Sequence, residues 1–400
     1  MNIYLIMEGR KMKKFMALFL AVAFLASFMV LGSVEKARAA KTIKIGVLLD
    51  FTGPISSVGP PFQRGIEYAF EEIDYTIAGK KIKLIIADSS SDPTIAMEKT
   101  KKLVERDKVH VIIGPLMGDQ QMSIAPYVKG KGVIVTTLYA GVGDIVEHGM
   151  FLVYPTTCVG LTLPAGWYAH DQGHRKMITL GADYAGGHLF MKGAKEGFEA
   201  KGGSVIQELW PPVGTADYGP TISTLNREAD VIVAFLAGPT EFQRFLPQYK
   251  SFGIKIPVIG TTVGTDLPSP VITEMGDAVK GMQGQAIYIA TRDDPTNNTF
   301  QAGFKKRFDK EADALEALSY CISKAVQAGL EATGGDDSFD KLWPAILASD
   351  IVTPQGRLSW TPHGVAVTDV YIAEAKEKAG KLSWEPVKIY KQVQDPRFPK

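Results

Sequence analysis

The strongest constraint in this 400-residue chain is a run of short apolar segments alternating with amphipathic ones, which begins near residue 43 and restarts after Pro155. Ile43, Ile45, Val47 and Leu49 alternate as a strand does, while Phe62, Ile66, Ala69, Phe70 and Ile73 recur at helical spacing. A second strand covers 82–87 and ends at Asp88, and Asp92-Pro93 is the start signal of a helix over 95–106. Strands over 109–113, closed by Gly114-Pro115, and over 133–137 complete the block, with a helix over 119–128 between them. This βαβαβαβ order predicts a parallel sheet covered by helices on both faces.

The second block repeats the pattern. A helix over 162–171 stops at Gly173, a strand covers 177–180, and Phe190, Ala194 and Phe198 make a helix face that ends at Gly202-Gly203. Strands follow over 205–209 and 231–236, then a helix face of Phe242, Phe245, Leu246 and Tyr249 closed by Gly253, and Val258-Ile259 opens the next strand. Two such blocks of about 110–130 residues predict two α/β domains. Helices over 300–308 and 315–330 come next, and Tyr371-Ile372 and 387–393 read as short antiparallel strands.

A content of 46% hydrophobic and 22% charged residues supplies core enough for two domains. The net charge of +1 argues against a nucleic-acid partner held by bulk charge. Residues 1–39 carry six basic residues (Arg10, Lys11, Lys13, Lys14, Lys36, Arg38) and two acidic ones (Glu8, Glu35), so the remainder holds 38 basic against 41 acidic. Met12-Lys13-Lys14, an uncharged run over 15–31, and Ala37-Arg38-Ala39 have the order of a secretory signal peptide cut before Ala40, with Met12 as the start. The alternative is a retained anchor, since 17 apolar residues reach the lower limit of a spanning helix. No cysteine precedes Cys158, so a lipidated N-terminal cysteine is excluded and a free periplasmic protein is expected.

Catalytic signatures are missing. There is no Walker loop, no G-x-S-x-G elbow and no H-E-x-x-H. Gly141-Val142-Gly143 starts like a dinucleotide fingerprint, but no glycine stands at position 146 to complete it. His170 and His174 lie four apart with Gly173 between them, so a helix terminus is the simpler reading than a metal pair. Asn297-Asn298-Thr299 matches a glycosylation acceptor that a bacterial chain does not use. Two cysteines, Cys158 and Cys321, exclude a disulfide scaffold and a Cys-rich metal site, and being in different blocks they are expected to stay free. The expectation is a binder with no catalytic residue, no cofactor and no metal.

The segment Lys44-Ile45-Gly46-Val47-Leu48-Leu49-Asp50-Phe51-Thr52-Gly53-Pro54 resembles the periplasmic solute-binding proteins of the Leu/Ile/Val-binding family, receptors of ABC importers. Arg64-Gly65-Ile66-Glu67, Glu71-Glu72-Ile73-Asp74, Lys81-Ile82-Lys83-Leu84 before Asp92-Pro93, and Gly114-Pro115-Leu116 continue the likeness. So do Asp183-Tyr184-Ala185-Gly186-Gly187, Gly214-Thr215-Ala216-Asp217-Tyr218 and Thr353-Pro354-Gln355-Gly356, and together they span about residue 41 to 393. The resemblance implies two doubly wound α/β lobes with parallel central sheets, joined by a three-segment hinge that closes over a ligand. Lobe 1 would comprise 41–155 and 288–360, and lobe 2 would comprise 156–287 and 361–400. The crossings fall at Pro155-Thr156, near 285–288 and at 359–362. The implied partners are a small-molecule ligand and the permease subunits of an inner-membrane ABC transporter, with the receptor a monomer.

Open parallel sheets bind ligands beyond the carboxyl ends of their strands. The expected walls are therefore 114–119, 136–139, 183–186, 237–239 and 260–265, with Leu138, Gly238 and Thr262 among them. Met117, Gly118 and Asp119 sit at a helix start, where unpaired N–H groups and the dipole favour a carboxylate. Thr137 and Tyr139 can offer a hydroxyl and an aromatic face, and Leu116 and Tyr288 an apolar lining. The alternatives are core packing for Leu116 and a cap without ligand contact for Asp119. Tyr184 matches the family's second-lobe tyrosine, which implies that it closes over the ligand.

The chain departs from the family's amino-acid binders in three places. Gly118 and Ala140 stand where hydroxyl side chains are usual, and Thr261-Thr262 replace the acid that meets an α-ammonium, with Asp266 nearby. An ammonium would be poorly paired there when desolvated. The expected ligand is thus either a branched-chain or other amino acid, or an aromatic acid, amide or other small carboxylate without the amine. A periplasmic sensor of the same fold is the alternative to a transport receptor, and an enzyme on a doubly wound fold would need a nucleophile, base or cofactor loop not found here.

Overall fold

A computed structural model of the chain describes residues 42–262, 269–378 and 380–400. The expected signal peptide over 1–39 and Asp266 lie outside the described residues. Among those residues no helix is long and apolar enough to cross a membrane.

The first block folds as expected into a sheet built from β1 (Ile43–Leu49), β2 (Thr76–Ile77), β3 (Lys80–Asp88), β4 (Val111–Ile113), β5 (Ile134–Thr136) and β6 (Phe151–Leu152). Its order is β2-β3-β1-β4-β5-β6, parallel throughout except for the β2–β3 hairpin. The chain moves from β1 out to β3 and then returns past β1 to β4. That reversal opens a crevice beyond the carboxyl end of β1, at Asp50, and of β4, at Gly114. The helix Gly59–Glu71 covers one face with Phe62, Ile66, Ala69 and Phe70 wholly buried or nearly so.

The second sheet has nine strands. Five are parallel: β7 (Lys176–Gly181), β8 (Ser204–Leu209), β9 (Val231–Phe235), β10 (Val258–Thr261) and β11 (Gln283–Ala286). Antiparallel β12 (Ile351–Thr353), β13 (Gly356–Trp360), β14 (Ala366–Lys378) and β15 (Lys381–Val393) extend it in the order β12-β13-β14-β11-β10-β9-β7-β8, with β15 on β14. The two last strands were expected to be short, but each runs 13 residues. Their outer halves carry Glu374, Lys376, Lys378, Lys381 and Glu385, and such a two-stranded ribbon shows too little apolar alternation to be read as long strands.

Two helices pack so closely that side chains are excluded between them. The Cys158–Asp171 and Ala185–Glu199 helices meet where a Cβ on Gly166 would lie 2.0 Å from the Ala194 carbonyl, and one on Gly197 would lie 2.3 Å from that of Leu163. The late helices Pro295–Phe308 and Ala314–Ala332 return to the first sheet's helix. Tyr68 stacks on Tyr320 with centroids 5.6 Å apart and meets Phe304 edge-on at 5.6 Å. Gln327 Nε2 donates to the Ala69 carbonyl at 2.7 Å.

Glu316, 1% exposed, closes this contact by accepting from Lys310 Nζ at 2.6 Å and Arg64 Nη2 at 2.8 Å. Burial pushes its carboxyl up, but the two cations outweigh that and hold it below the usual range. Burial likewise raises Asp171, and Lys201 and Lys388 bring it down to about 2. Depressed carboxyls contribute stability that is present above their unfolded values of about 4 and is lost as pH falls through their folded values. Melting temperature should therefore hold from neutral pH to about 5 and drop between about pH 4 and 2. A melt followed by circular dichroism that stays flat across that window would remove these pairs from the stability account.

Val153 pairs in parallel with Val365, and Ala366 N–H donates to the Val153 carbonyl at 2.9 Å. Pairing with β11 starts only at Tyr371, opposite Ala286. Between those points Thr368 Oγ1 donates to the Pro155 carbonyl at 3.3 Å. Arg292, which is 9% exposed, joins segments far apart in the chain. Its guanidinium donates to the Pro354 and Gln355 carbonyls, to the Tyr371 hydroxyl and to Asp294, and lies 4.8 Å from the centre of the Tyr371 ring. Gln355 Oε1 in turn accepts from the Tyr154 hydroxyl.

Candidate functional site

In the first unit the helix Gly118–Val128 starts directly beyond β4, with Met117 extended (φ −75°, ψ 140°) at its N-cap. Leu116, Met117 and Gly118 are half-buried, and Leu116 rests on the main core. Asp119 is exposed, and its Oδ1 accepts from the Gln120 N–H at 2.8 Å. It lies at the helix start whose N–H groups and dipole favour negative charge.

Two glutamines that sequence reasoning passed over hold this wall in place. Gln121, 0% exposed, donates to the Leu116 carbonyl at 2.8 Å and to that of Ala140 at 3.2 Å, and accepts from Val142 N–H at 3.3 Å. Gln120 Nε2 donates at 2.9 Å to Asp50 Oδ1, which also accepts from Ser89 Oγ and Ser91 N–H at 2.8 and 2.7 Å. The exits of β1, β3, β4 and β5 are thereby bonded to one another. The only signal in the sequence was a pair of amides just inside a helix start, which carries no spacing of its own.

Beyond β5, Thr137 is still in the ladder: its N–H donates to the Leu152 carbonyl at 3.0 Å. Its hydroxyl donates to the Tyr154 carbonyl at 2.9 Å and accepts from the Tyr154 N–H at 2.8 Å. Thr137 and Leu138 are wholly buried. Tyr139 is half-buried against the core, and Ala140 follows with φ 146°, a backbone region that L residues adopt at a cost.

In the second unit Tyr184 is the N-cap of the helix Ala185–Glu199. Its ring is 39% exposed, lies 6.3 Å from that of Phe235, and folds back over Gly186, where a Cβ would come within 2.6 Å of its Cε2. The phenol pKa is nevertheless raised, first by desolvation and then by the Cys158 thiol and Glu241. Cys158 in turn donates its N–H to the Gly141 carbonyl at 3.0 Å, so Tyr184 stands near the place where the first unit's loop meets the second unit's first helix.

Gly238 precedes the helix Pro239–Ser251 at φ 115°, and nothing lies within 4 Å of where its Cβ would be. Glu241 is 4% exposed and accepts from Gly214 N–H at 2.5 Å, Ala237 N–H at 2.9 Å and the Tyr218 hydroxyl at 3.4 Å. Thr262 is wholly buried and donates its N–H to Gln285 Oε1 at 3.2 Å. Tyr288 is 3% exposed, and its hydroxyl joins Asn297 Oδ1 and Gln301 Nε2, each at 2.6 Å. Its polar tip faces the Pro295–Phe308 helix, and Thr262 and Tyr288, like Thr137 and Leu138, are buried. Of the expected site residues, those not buried are Leu116, Met117, Gly118, Asp119 and Tyr139 on one unit, and Tyr184 and Gly238 on the other.

Comparison with known proteins fits this geometry. A family model described as periplasmic binding protein matches residues 42–381. The chain is 26% identical over 391 residues to a Leu/Ile/Val-binding protein homolog 6 of Brucella abortus (strain 2308), covering 94% of this chain and 98% of that one. Among solved structures it is similar to an ABC transporter substrate-binding protein from Sphaerobacter thermophilus, with a TM-score of 0.85 and 28% identity over 90% of this chain and 100% of that one. A solute-binding protein of an ABC transporter from Rhodopseudomonas palustris HaA2, solved with p-hydroxybenzoic acid, has a TM-score of 0.82 and 25% identity over 89% and 99% of the two chains. With two parallel-dominated α/β units and a family model that matches most of its length, this chain belongs to the periplasmic binding protein family, whose members are solute-binding receptors and not enzymes.

Proposed function

We propose that the protein is a periplasmic receptor of an ABC importer that captures a small carboxylate bearing an aromatic or other apolar body, rather than an α-amino acid. The two units swing together over the ligand, hide it, and present it to the membrane permease. The observation that carries the ligand class is the state of the second unit's wall. Tyr184 offers an aromatic face there, whereas the carboxylates beside it are already engaged. Asp183 Oδ1 lies 2.9 Å from His188 Nε2, and Glu241 is bonded to two amides and a phenol. An α-ammonium brought against this wall would lose its hydration against carboxylates that are already bonded within the protein. The structural relative from R. palustris HaA2, solved with p-hydroxybenzoic acid, supports the same class.

Thermal melts of the mature protein with 4-hydroxybenzoate, benzoate, leucine, isoleucine and valine test the reading. A ligand at about 100 times its Kd adds about 2.7 kcal/mol of stability. The aromatic acids should raise the melting temperature and the three amino acids leave it unmoved. The opposite result would return the protein to the amino-acid binders, the reading suggested by the name of the Brucella relative.

A further inference from the structure

Beyond β15 the chain crosses back to the first unit. Asp395 is 0% exposed and accepts from the Thr157 hydroxyl, at the N-cap of the Cys158–Asp171 helix, and from the Arg397 guanidinium. The Arg397 N–H also donates to it at 2.9 Å, and Phe398 N–H donates to the Asp395 carbonyl at 2.9 Å. That turn carries the Phe398 ring onto the core cluster containing Leu48, Ile112, Val135 and Ile145, against which Val142 also packs. A Cβ on Gly143 would sit 3.8 Å from its Cε2. Lys400 Nζ closes the crossing on Ser359 Oγ at 3.0 Å.

These contacts fall on the loop that continues from Tyr139. Gly141 N–H donates to the Thr156 carbonyl at 3.2 Å, next to the Thr157 that binds Asp395. Val142 fills the space beside Gly118, where a Cβ would meet it at 2.8 Å. Both ends of the crossing segment therefore touch the same loop: through Thr157 from the second unit, and through Phe398 from behind. A buried carboxylate is costly unless it is paired, and Asp395 is paired both by Arg397 within the segment and by the Thr157 hydroxyl across the crossing. We infer that residues 395–398 form a strap that positions the 139–143 wall against the second unit, so that the order of this wall, and with it the hold on ligand, depends on Phe398. The second half of this statement rests on the function proposed above; the first half does not.

Hydrogen exchange of the full chain, read by mass spectrometry, separates the two halves. In Phe398→Ala, peptides covering 139–146 should exchange about tenfold faster, the change expected when most of one apolar side chain's burial is lost. Peptides covering β1 should not change, and Phe398→Leu should restore protection. Exchange over 139–146 equal to wild type in Phe398→Ala overturns the strap. Titration with 4-hydroxybenzoate is the second arm: faster exchange with an unchanged Kd overturns the ligand half alone. Failure of wild type to bind 4-hydroxybenzoate overturns the proposed ligand class and leaves the exchange result to decide the strap.

Discussion

Arg292→Met will lower the unfolding free energy by about 3 kcal/mol, the loss expected when a buried hydrogen-bonded cation is removed from its partners. The guanidinium serves the Pro354 and Gln355 carbonyls, the Tyr371 hydroxyl and Asp294 at once. Methionine fills much of the volume and donates to none of them, so polar groups with almost no access to water lose their partner. Tyr371 is 1% exposed and Gln355 1%, which leaves little room for solvent to substitute. Arg292→Lys should recover only part of the loss, because a single ammonium cannot reproduce a planar fork aimed in several directions. Urea unfolding measures both variants. A loss below about 1 kcal/mol for methionine would mean that these bonds contribute little net stability.

Tyr184→Ala will weaken ligand binding about 30-fold, the cost of truncating an aromatic anchor at the centre of a desolvated contact. With 39% of the side chain exposed, stability should change little. Calorimetric titration with 4-hydroxybenzoate reads the affinity, and Tyr184→Phe divides the ring's share from that of the hydroxyl. Unchanged affinity in the alanine variant takes Tyr184 out of the wall, whatever the ligand proves to be.

Much of the architecture was legible without coordinates. The alternation at Ile43, Ile45, Val47 and Leu49 and the apolar run in β9 are set by burial on one or both faces of a sheet, and that periodicity is local. The rule that ligands meet the carboxyl ends of parallel strands pointed to the same loops that now hold Met117, Tyr139, Tyr184 and Gly238. Within those loops, strand-end reasoning could not say which side chains stay in the core. Thr137 is one residue past β5 yet still bonded in the ladder, and Tyr288 turns its hydroxyl toward a helix that begins seven residues later.

The amino-acid order alone determined the two α/β blocks, the positions of most strands and helices, and the candidate crevice, because each follows from the period of apolar residues and the short-range geometry of parallel sheets. Tertiary structure decided the rest: Gln121 reaching the Ala140 carbonyl 19 residues away, Arg292 reaching the Gln355 carbonyl, and Asp395 crossing back to Thr157 at a separation of 238. Such contacts leave no periodic trace in the sequence. They depend on which buried donor finally meets which buried acceptor, and that pairing exists only once the chain has folded.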